Sequence, residues 1–199
     1  MSAGDVVIIA SGGANIASLQ FALQRLGARS QVSADPQRIA KASHVILPGV
    51  GAAADAMLRL KHQQLDALIP TLQQPVLGIC LGMQLLFEAS DEGAARCLGI
   101  LPGRATRFAP AAGRPVPHMG WNSLTIERAG SLLDGIQQGD YVYFVHSYAL
   151  SLSSATLASC CYGELFSACV QWRNFYGMQF HPERSAKAGA RLLRNFLEL

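Results

Sequence analysis

The chain has 199 residues, 50% of them hydrophobic and only 15% charged, with a formal net charge of +3; this suffices for one compact domain over 1–199 with a sizeable core. Its 16 basic and 13 acidic residues form no block of like charge, which argues against a nucleic-acid binder. No apolar run approaches the ~20 residues that span a bilayer, and Met1 to Asp5 pass straight into Val6-Val7-Ile8-Ile9 without the pattern of a signal peptide, so a cytoplasmic protein away from membranes is expected.

In chain order, residues 6–10 read as a buried strand, followed by the turn Ser11-Gly12-Gly13. Ile16, Leu19, Leu23 and Leu26 then recur at helical spacing until Gly27 closes the helix. Strands are expected at 29–33 and 45–47, the latter ending at Pro48, with helices at about 52–60 and 65–72. A fourth strand, 76–79, runs into Cys80, and a helix begins just after it, with Met83 to Glu88 carrying its pattern. Strand and helix in alternation predict an α/β fold, a three-layer sandwich around a mostly parallel sheet. The second half differs. Strand-like runs at 124–126, 141–145, 156–160, 168–172 and 175–180 follow one another with turns between, which predicts antiparallel additions to that core. A helix over about 186–197 closes the chain, with Ser185 as its expected N-cap.

The cysteines are Cys80, Cys97, Cys160, Cys161 and Cys169. An odd number without CxxC spacing predicts reduced thiols and no metal site. Four of them are expected to be small core hydrophobes. Cys80 stands apart, because Gly78-Ile79-Cys80-Leu81-Gly82 lies between a buried strand and a helix. This is the cysteine counterpart of the nucleophile elbow, in which a sharp strand-to-helix turn presents the attacking atom. Flanking glycines let strand and helix approach, and a helix N-terminus favours the thiolate. The N–H of Leu81 would face the oxyanion formed when Cys80 attacks a carbonyl. A second turn, Pro48-Gly49-Val50-Gly51, ends the neighbouring strand, so both turns belong on the carboxyl edge of one sheet. Its N–H groups are placed to supply the rest of an oxyanion hole.

A thiolate nucleophile needs a base that later protonates the leaving amine. Of the five histidines, His44 and His62 suit structural or exposed roles, and His118 and His146 border second-half strands. His181 is best placed, since it opens His181-Pro182-Glu183 after a strand. The proline holds His181 extended, and residues two apart in an extended segment point the same way. Glu183 is thereby expected to orient the imidazole, completing a Cys-His-Glu triad.

Together, Gly78 to Leu86 and Gln179-Phe180-His181-Pro182-Glu183 resemble the signature of class I glutamine amidotransferases. Pro48-Gly49-Val50-Gly51, Pro117-His118-Met119-Gly120-Trp121-Asn122 and Tyr143-Phe144-Val145-His146-Ser147-Tyr148 narrow the resemblance to the glutaminase subunits of imidazole glycerol phosphate synthases, along essentially the whole chain. The resemblance implies a cofactor-free enzyme in which Cys80 attacks the side-chain amide of L-glutamine, releasing ammonia through a γ-glutamyl thioester, with His181 as the proton shuttle. It implies an oxyanion hole from the Val50 and Leu81 N–H groups, and glutamine held by Gly49, Gly51, Gln84, His146, Ser147 and Tyr148. It also implies a heterodimer with a (β/α)8-barrel cyclase, which uses the ammonia to make imidazole glycerol phosphate and an aminoimidazole carboxamide ribotide in histidine biosynthesis. Asn15, Trp121, Asn122 and Arg184 would face that cyclase. Two positions depart from the family's habit. Ala14 precedes Asn15 where glycine is common, and Arg184 follows the triad glutamate where lysine is common, which changes the donor geometry. Read without the resemblance, Asn15 suits a helix N-cap and Trp121 a core cap. The alternatives to the coupled enzyme are an inactive scaffold subunit, which has no need of an intact triad, and a stand-alone hydrolase of γ-glutamyl compounds.

Overall fold

The computed structural model describes residues 5–11 and 16–199, so Asn15 lies outside the described residues. The first half contains β1 (Val6–Ile9), α1 (Ile16–Arg25), β2 (Ser30–Ser33), α2 (Pro36–Lys41), β3 (His44–Gly49), α3 (Ala53–His62), α4 (Leu65–Leu68), β4 (Val76–Cys80) and α5 (Leu81–Leu85). There follow β5 (Phe87–Ser90), β6 (Ala95–Arg96), β7 (Leu101–Arg107), β8 (His118–Ser123), β9 (Thr125–Ile126), β10 (Tyr141–His146), β11 (Tyr148–Leu150), β12 (Thr156–Cys161), β13 (Leu165–Trp172), β14 (Phe175–Met178) and α6 (Ala186–Leu197).

An eight-stranded sheet in the order β2-β1-β3-β4-β14-β13-β12-β9 forms the middle layer. The pairs from β2 through to β14 are parallel, and those from β14 to β9 are antiparallel. Alternation along β1 shows why both faces are covered. Val6 and Ile8 join a core with Leu19 and Leu23 of α1 and Leu192, Leu193 and Phe196 of α6. Val7 and Ile9 join the opposite core with Ile39 of α2, Met57 and Leu60 of α3 and Leu65 of α4. All four β1 side chains are fully buried, as expected of a strand sandwiched between helical layers.

Several expectations need correction. The segment around Phe175 is not an antiparallel addition: β14 pairs parallel with β4, and antiparallel pairing begins only with β13, then β12 and β9, so that β13 and β9 run against the parallel strands. The second-half strands also do not all extend the main sheet, because β10 pairs with β8 alone and β11-β7-β5-β6 form a separate sheet. The helix after Cys80 stops at Leu85, and Phe87 onward is a strand, for Phe87 is drawn into the core against α3 and β7. The expected 65–72 helix ends at Leu68 and tightens into a 3-10 turn containing Pro70. Helix α2 lacks an apolar stripe and shows only as the cap pair Asp35-Pro36, with Gln37 N–H donating to Asp35 Oδ1 at 2.9 Å. Ser185 sits at the N-cap of α6 yet makes no side-chain cap bond, being used elsewhere. Of the four cysteines assigned to the core, Cys161 is exposed, because it ends β12 on the outward side.

Strand β4 is flanked by β3 and β14, with Gly49 opposite Cys80 and Ile79 opposite Met178. Three chain segments remote in sequence therefore end together on one edge. Their closeness depends on missing side chains. A Cβ on Gly49 would lie 2.6 Å from Gly82 N, one on Gly78 would lie 2.6 Å from Gly82 O, and one on Gly82 would strike the Leu47 carbonyl oxygen. Gly82→Ala is accordingly expected to force β3 away from α5 and destabilise the fold by about 1–3 kcal/mol. Urea melts of the purified variant check this; an unchanged midpoint contradicts the packing argument.

Candidate active site

Cys80 occupies the corner between β4 and α5 with φ 54° and ψ −113°, a conformation unusual for a residue bearing a Cβ. Such strain persists where the surroundings enforce it, and here the glycine contacts on both sides do so. The thiol is 7% exposed and lines a cavity of about 310 Å3.

Beyond β14 the chain reaches His181 in an extended conformation, φ −96° and ψ 100°. Its Nδ1 lies 3.0 Å from Glu183 Oε1, and the ring lines the same cavity as Cys80, near enough for the sulfur to raise its pKa. The three expected triad residues thus meet, though not by the expected route. Pro182–Arg184 is a 3-10 turn, so a tight turn rather than continued extension brings the carboxylate back to the ring. The turn is pinned to β10. His181 N–H donates to Tyr143 O at 3.0 Å, Tyr143 N–H donates to Ser185 Oγ at 2.9 Å, and Ser185 Oγ–H donates to His181 O at 2.7 Å. Gly189 in α6 leaves room for the Pro182 carbonyl. Burial by itself lowers the His181 pKa, but the hydrogen bonds to Cys80 and Glu183 and the charges of both outweigh it and push the imidazole up to about 10.

Val50, Gly51, Leu81, Gln84, His146, Ser147 and Tyr148 all line the cavity with Cys80 and His181. Gly49 instead lines a second cavity of about 220 Å3, which shares Val50, Val145 and His181 with the first and is lined also by Ile16, Leu19, Glu183 and Arg184. Gly51 adopts φ +86°, a turn conformation that suits glycine. Ser11 Oγ–H donates to Pro48 O at 2.9 Å and so anchors the start of this loop. Both ring nitrogens of His146 are engaged within the protein, Nδ1 with Tyr148 O at 2.9 Å and Nε2 with His118 Nδ1 at 3.1 Å. It shapes the cavity wall and has no ring nitrogen left for a ligand.

Trp121 is 51% exposed and meets Tyr143 edge-on at 5.8 Å, while the Arg184 guanidinium lies 4.6 Å over the Tyr143 ring. Met119 and Tyr141 are also exposed on these two strands, giving an apolar outer face. Asn122 does not share it. Adjacent strand residues point to opposite sides, and its amide donates inward to Cys161 O at 2.9 Å.

Two functional candidates escaped the sequence reading. Glu92 lines the cavity and accepts the Ala53 N–H at 3.1 Å; burial raises its pKa, the Ala53 bond lowers it and the Asp55 charge raises it further. Its only sequence signal is the acidic pair Asp91-Glu92 before Gly93, a turn pattern. Gln179 is fully buried, with Nε2 3.8 Å from Cys80 Sγ. An amide alone in the apolar run before His181 was a legible signal for it.

The family model for class-I glutamine amidotransferases matches residues 7–199. The imidazole glycerol phosphate synthase subunit HisH of Xylella fastidiosa is 53% identical over 195 residues, covering 98% of each chain, and that of Xanthomonas campestris pv. campestris is 52% identical over the same span. A crystal structure of a glutamine amidotransferase superposes with a TM-score of 0.75 at 19% identity, covering 97% of each chain. A glutamine amidotransferase from Thermotoga maritima gives 0.73 at 17% identity, covering 100% of this chain and 98% of that one. The matched family model and these near-full-length relatives, together with a thiol, an imidazole and a carboxylate on one sheet edge, place the chain in the class I glutamine amidotransferase family.

Proposed function

We propose that this chain is the glutaminase subunit of an imidazole glycerol phosphate synthase, releasing ammonia from L-glutamine for a cyclase partner in histidine biosynthesis. The observation that carries the reading is the line Cys80–His181–Glu183 opening into a cavity of amino-acid size.

The chemistry follows from the groups present. The Cys80 thiolate attacks the side-chain amide carbon of glutamine, forming a C–S bond and an oxyanion, which the Leu81 and Val50 N–H groups receive. His181, held as imidazolium by Glu183, protonates the amide nitrogen; the C–N bond breaks and ammonia leaves. Water then attacks the γ-glutamyl thioester and gives its proton to His181. The C–S bond breaks, releasing glutamate and restoring the thiolate. Glu92 matches the α-ammonium of the substrate, and the Gln84 carbonyl oxygen, Ser147 and Tyr148 supply polar wall. Gly49 and Gly51 flank Val50, so rotation of its peptide into the oxyanion hole is cheap, and partner docking is the event that drives it. The second cavity, walled mainly by Ile16, Leu19, Pro48, Ile79 and Val145 beside His181, is the exit for neutral ammonia. Trp121, Tyr143 and Arg184 then form the docking face for a (β/α)8-barrel cyclase. Asn15 is assigned to the same face on the family resemblance alone.

A diazoketone analogue of glutamine is expected to alkylate Cys80 alone, located by peptide mass spectrometry, and Cys80→Ala to lower turnover by at least about 10³-fold. Labelling at another cysteine, or turnover that survives the substitution, refutes the nucleophile. Coupling is separately measurable. Glutamine hydrolysis by this chain alone is expected to be slow and to rise sharply on adding the cyclase, and Trp121→Ala to weaken their association by about 2 kcal/mol. Full-speed hydrolysis without a partner favours the stand-alone hydrolase.

The raised imidazole pKa carries a pH signature. Its stabilising contribution is complete below the ordinary value of 6.5 and is lost as pH rises through about 10. The stability difference between the wild type and His181→Asn should therefore shrink between these limits in urea titrations. A difference that stays constant over the window rejects a protonated, doubly hydrogen-bonded His181.

A further inference from the structure

The glutaminase reaction leaves two buried imidazoles without a task. His118 on β8 and His146 on β10 are paired across their two-stranded sheet, 3% and 6% exposed. His118 stacks on Phe144 at 4.9 Å and on Tyr162 at 4.0 Å. Burial holds both rings neutral, pulling His118 down to about 4 and His146 to about 3.

Neutrality makes the direction of every hydrogen bond here determinate. The Tyr148 carbonyl, 2.9 Å from His146 Nδ1, can only accept, so that nitrogen carries the proton. His146 Nε2 is then an acceptor, and the contact of 3.1 Å requires His118 Nδ1–H to donate. His118 Nε2 accepts in turn from the Asn122 amide, 3.4 Å away. The same Tyr148 oxygen also receives Gln84 Nε2–H at 2.9 Å, which orients that amide, and its second hydrogen goes to Gln179 Oε1 at 2.9 Å. Gln179 is thereby turned so that Nε2–H, not its oxygen, faces the Cys80 sulfur at 3.8 Å. An N–H there favours a negatively charged sulfur; a flipped amide would oppose it.

We propose that His118 is a positioning residue for Cys80: through the neutral His118–His146 pair, the Tyr148 carbonyl and the amides of Gln84 and Gln179, it keeps a donor directed at the sulfur. The chain of contacts is continuous, and what passes along it is position: His118 holds the His146 ring, that ring holds the Tyr148 carbonyl in place, and the carbonyl fixes the amide of Gln84, which in turn orients Gln179. The proposal rests on the reading of Cys80 as the nucleophile.

Three measurements on the full-length chain test it. In ¹⁵N-resolved NMR at neutral pH, both rings are expected as the Nδ1–H tautomer; an Nε2–H His146, or an imidazolium at either position, overturns the proposal whether or not any variant folds. Alkylation of Cys80 by iodoacetamide, followed on its own peptide because Cys161 is exposed, is expected to slow by about fivefold in His118→Phe and at least as much in Gln179→Leu. His118→Asn, whose amide N–H stands near the place of Nδ1–H, is expected to recover most of the rate. A folded His118→Phe with wild-type alkylation overturns the proposal, as does failure of the asparagine variant to recover. Alkylation needs no glutamine. A wild type with these reactivities but no glutamine turnover even with the cyclase added would sink the functional reading and leave the relay standing; normal turnover in that complex with unaltered reactivity in the variants would do the reverse.

Discussion

The structure depends on a place where backbone must touch backbone. Gly49, Gly78 and Gly82 bring β3, β4 and α5 within distances that no Cβ permits, and at their centre Cys80 is bent into positive φ. A residue in that conformation costs stability, so it is held only because the sheet and the helix leave it no other course. That strain has a use. It lifts the sulfur out of the strand and onto the edge where the Val50 loop and His181 arrive from either side.

Around this corner the polar groups divide into two environments. On the His181 side, a carboxylate and a sulfur hold a proton on an imidazole despite burial. On the His146 side, burial without a charged partner strips protons from two imidazoles. The contrast follows from what each ring faces. Opposite charge and hydrogen bonds compensate desolvation in the first case, while carbonyl and aromatic neighbours do not in the second. One site thus contains a charged imidazole suited to moving a proton and neutral imidazoles suited to holding geometry.

Much of the site was legible in the chain because its motifs are local. The glycine pair about Cys80 and the P-G-V-G turn each declare a backbone geometry within five residues, and each lies where strand pattern and topology put it; His-Pro-Glu marked the right residues, but the 3-10 turn that joins His181 to Glu183 replaced the extension expected there. What escaped notice was whatever depended on distant partners. Glu92 belongs to the site only because the β5–β6 turn reaches α3, a contact 39 residues apart in sequence, and Gln179 matters only because its amide meets Gln84, 95 residues away. Ser185 has the neighbours of a helix cap, yet its hydroxyl serves β10 and the backbone of His181.

The sequence by itself determined the alternation of strand and helix in the first half, the last helix, the strand-to-helix turn at Cys80 and the closeness of His181 to Glu183, since hydrophobic period, glycine placement and proline act over a few residues. Tertiary structure alone decided that β14 runs parallel beside β4, that Phe87 leaves its helix for a strand, that Trp121 faces outward while Asn122 turns in, and which way each buried amide points. Those outcomes depend on which surfaces meet and which donors find acceptors, quantities that a linear pattern does not contain.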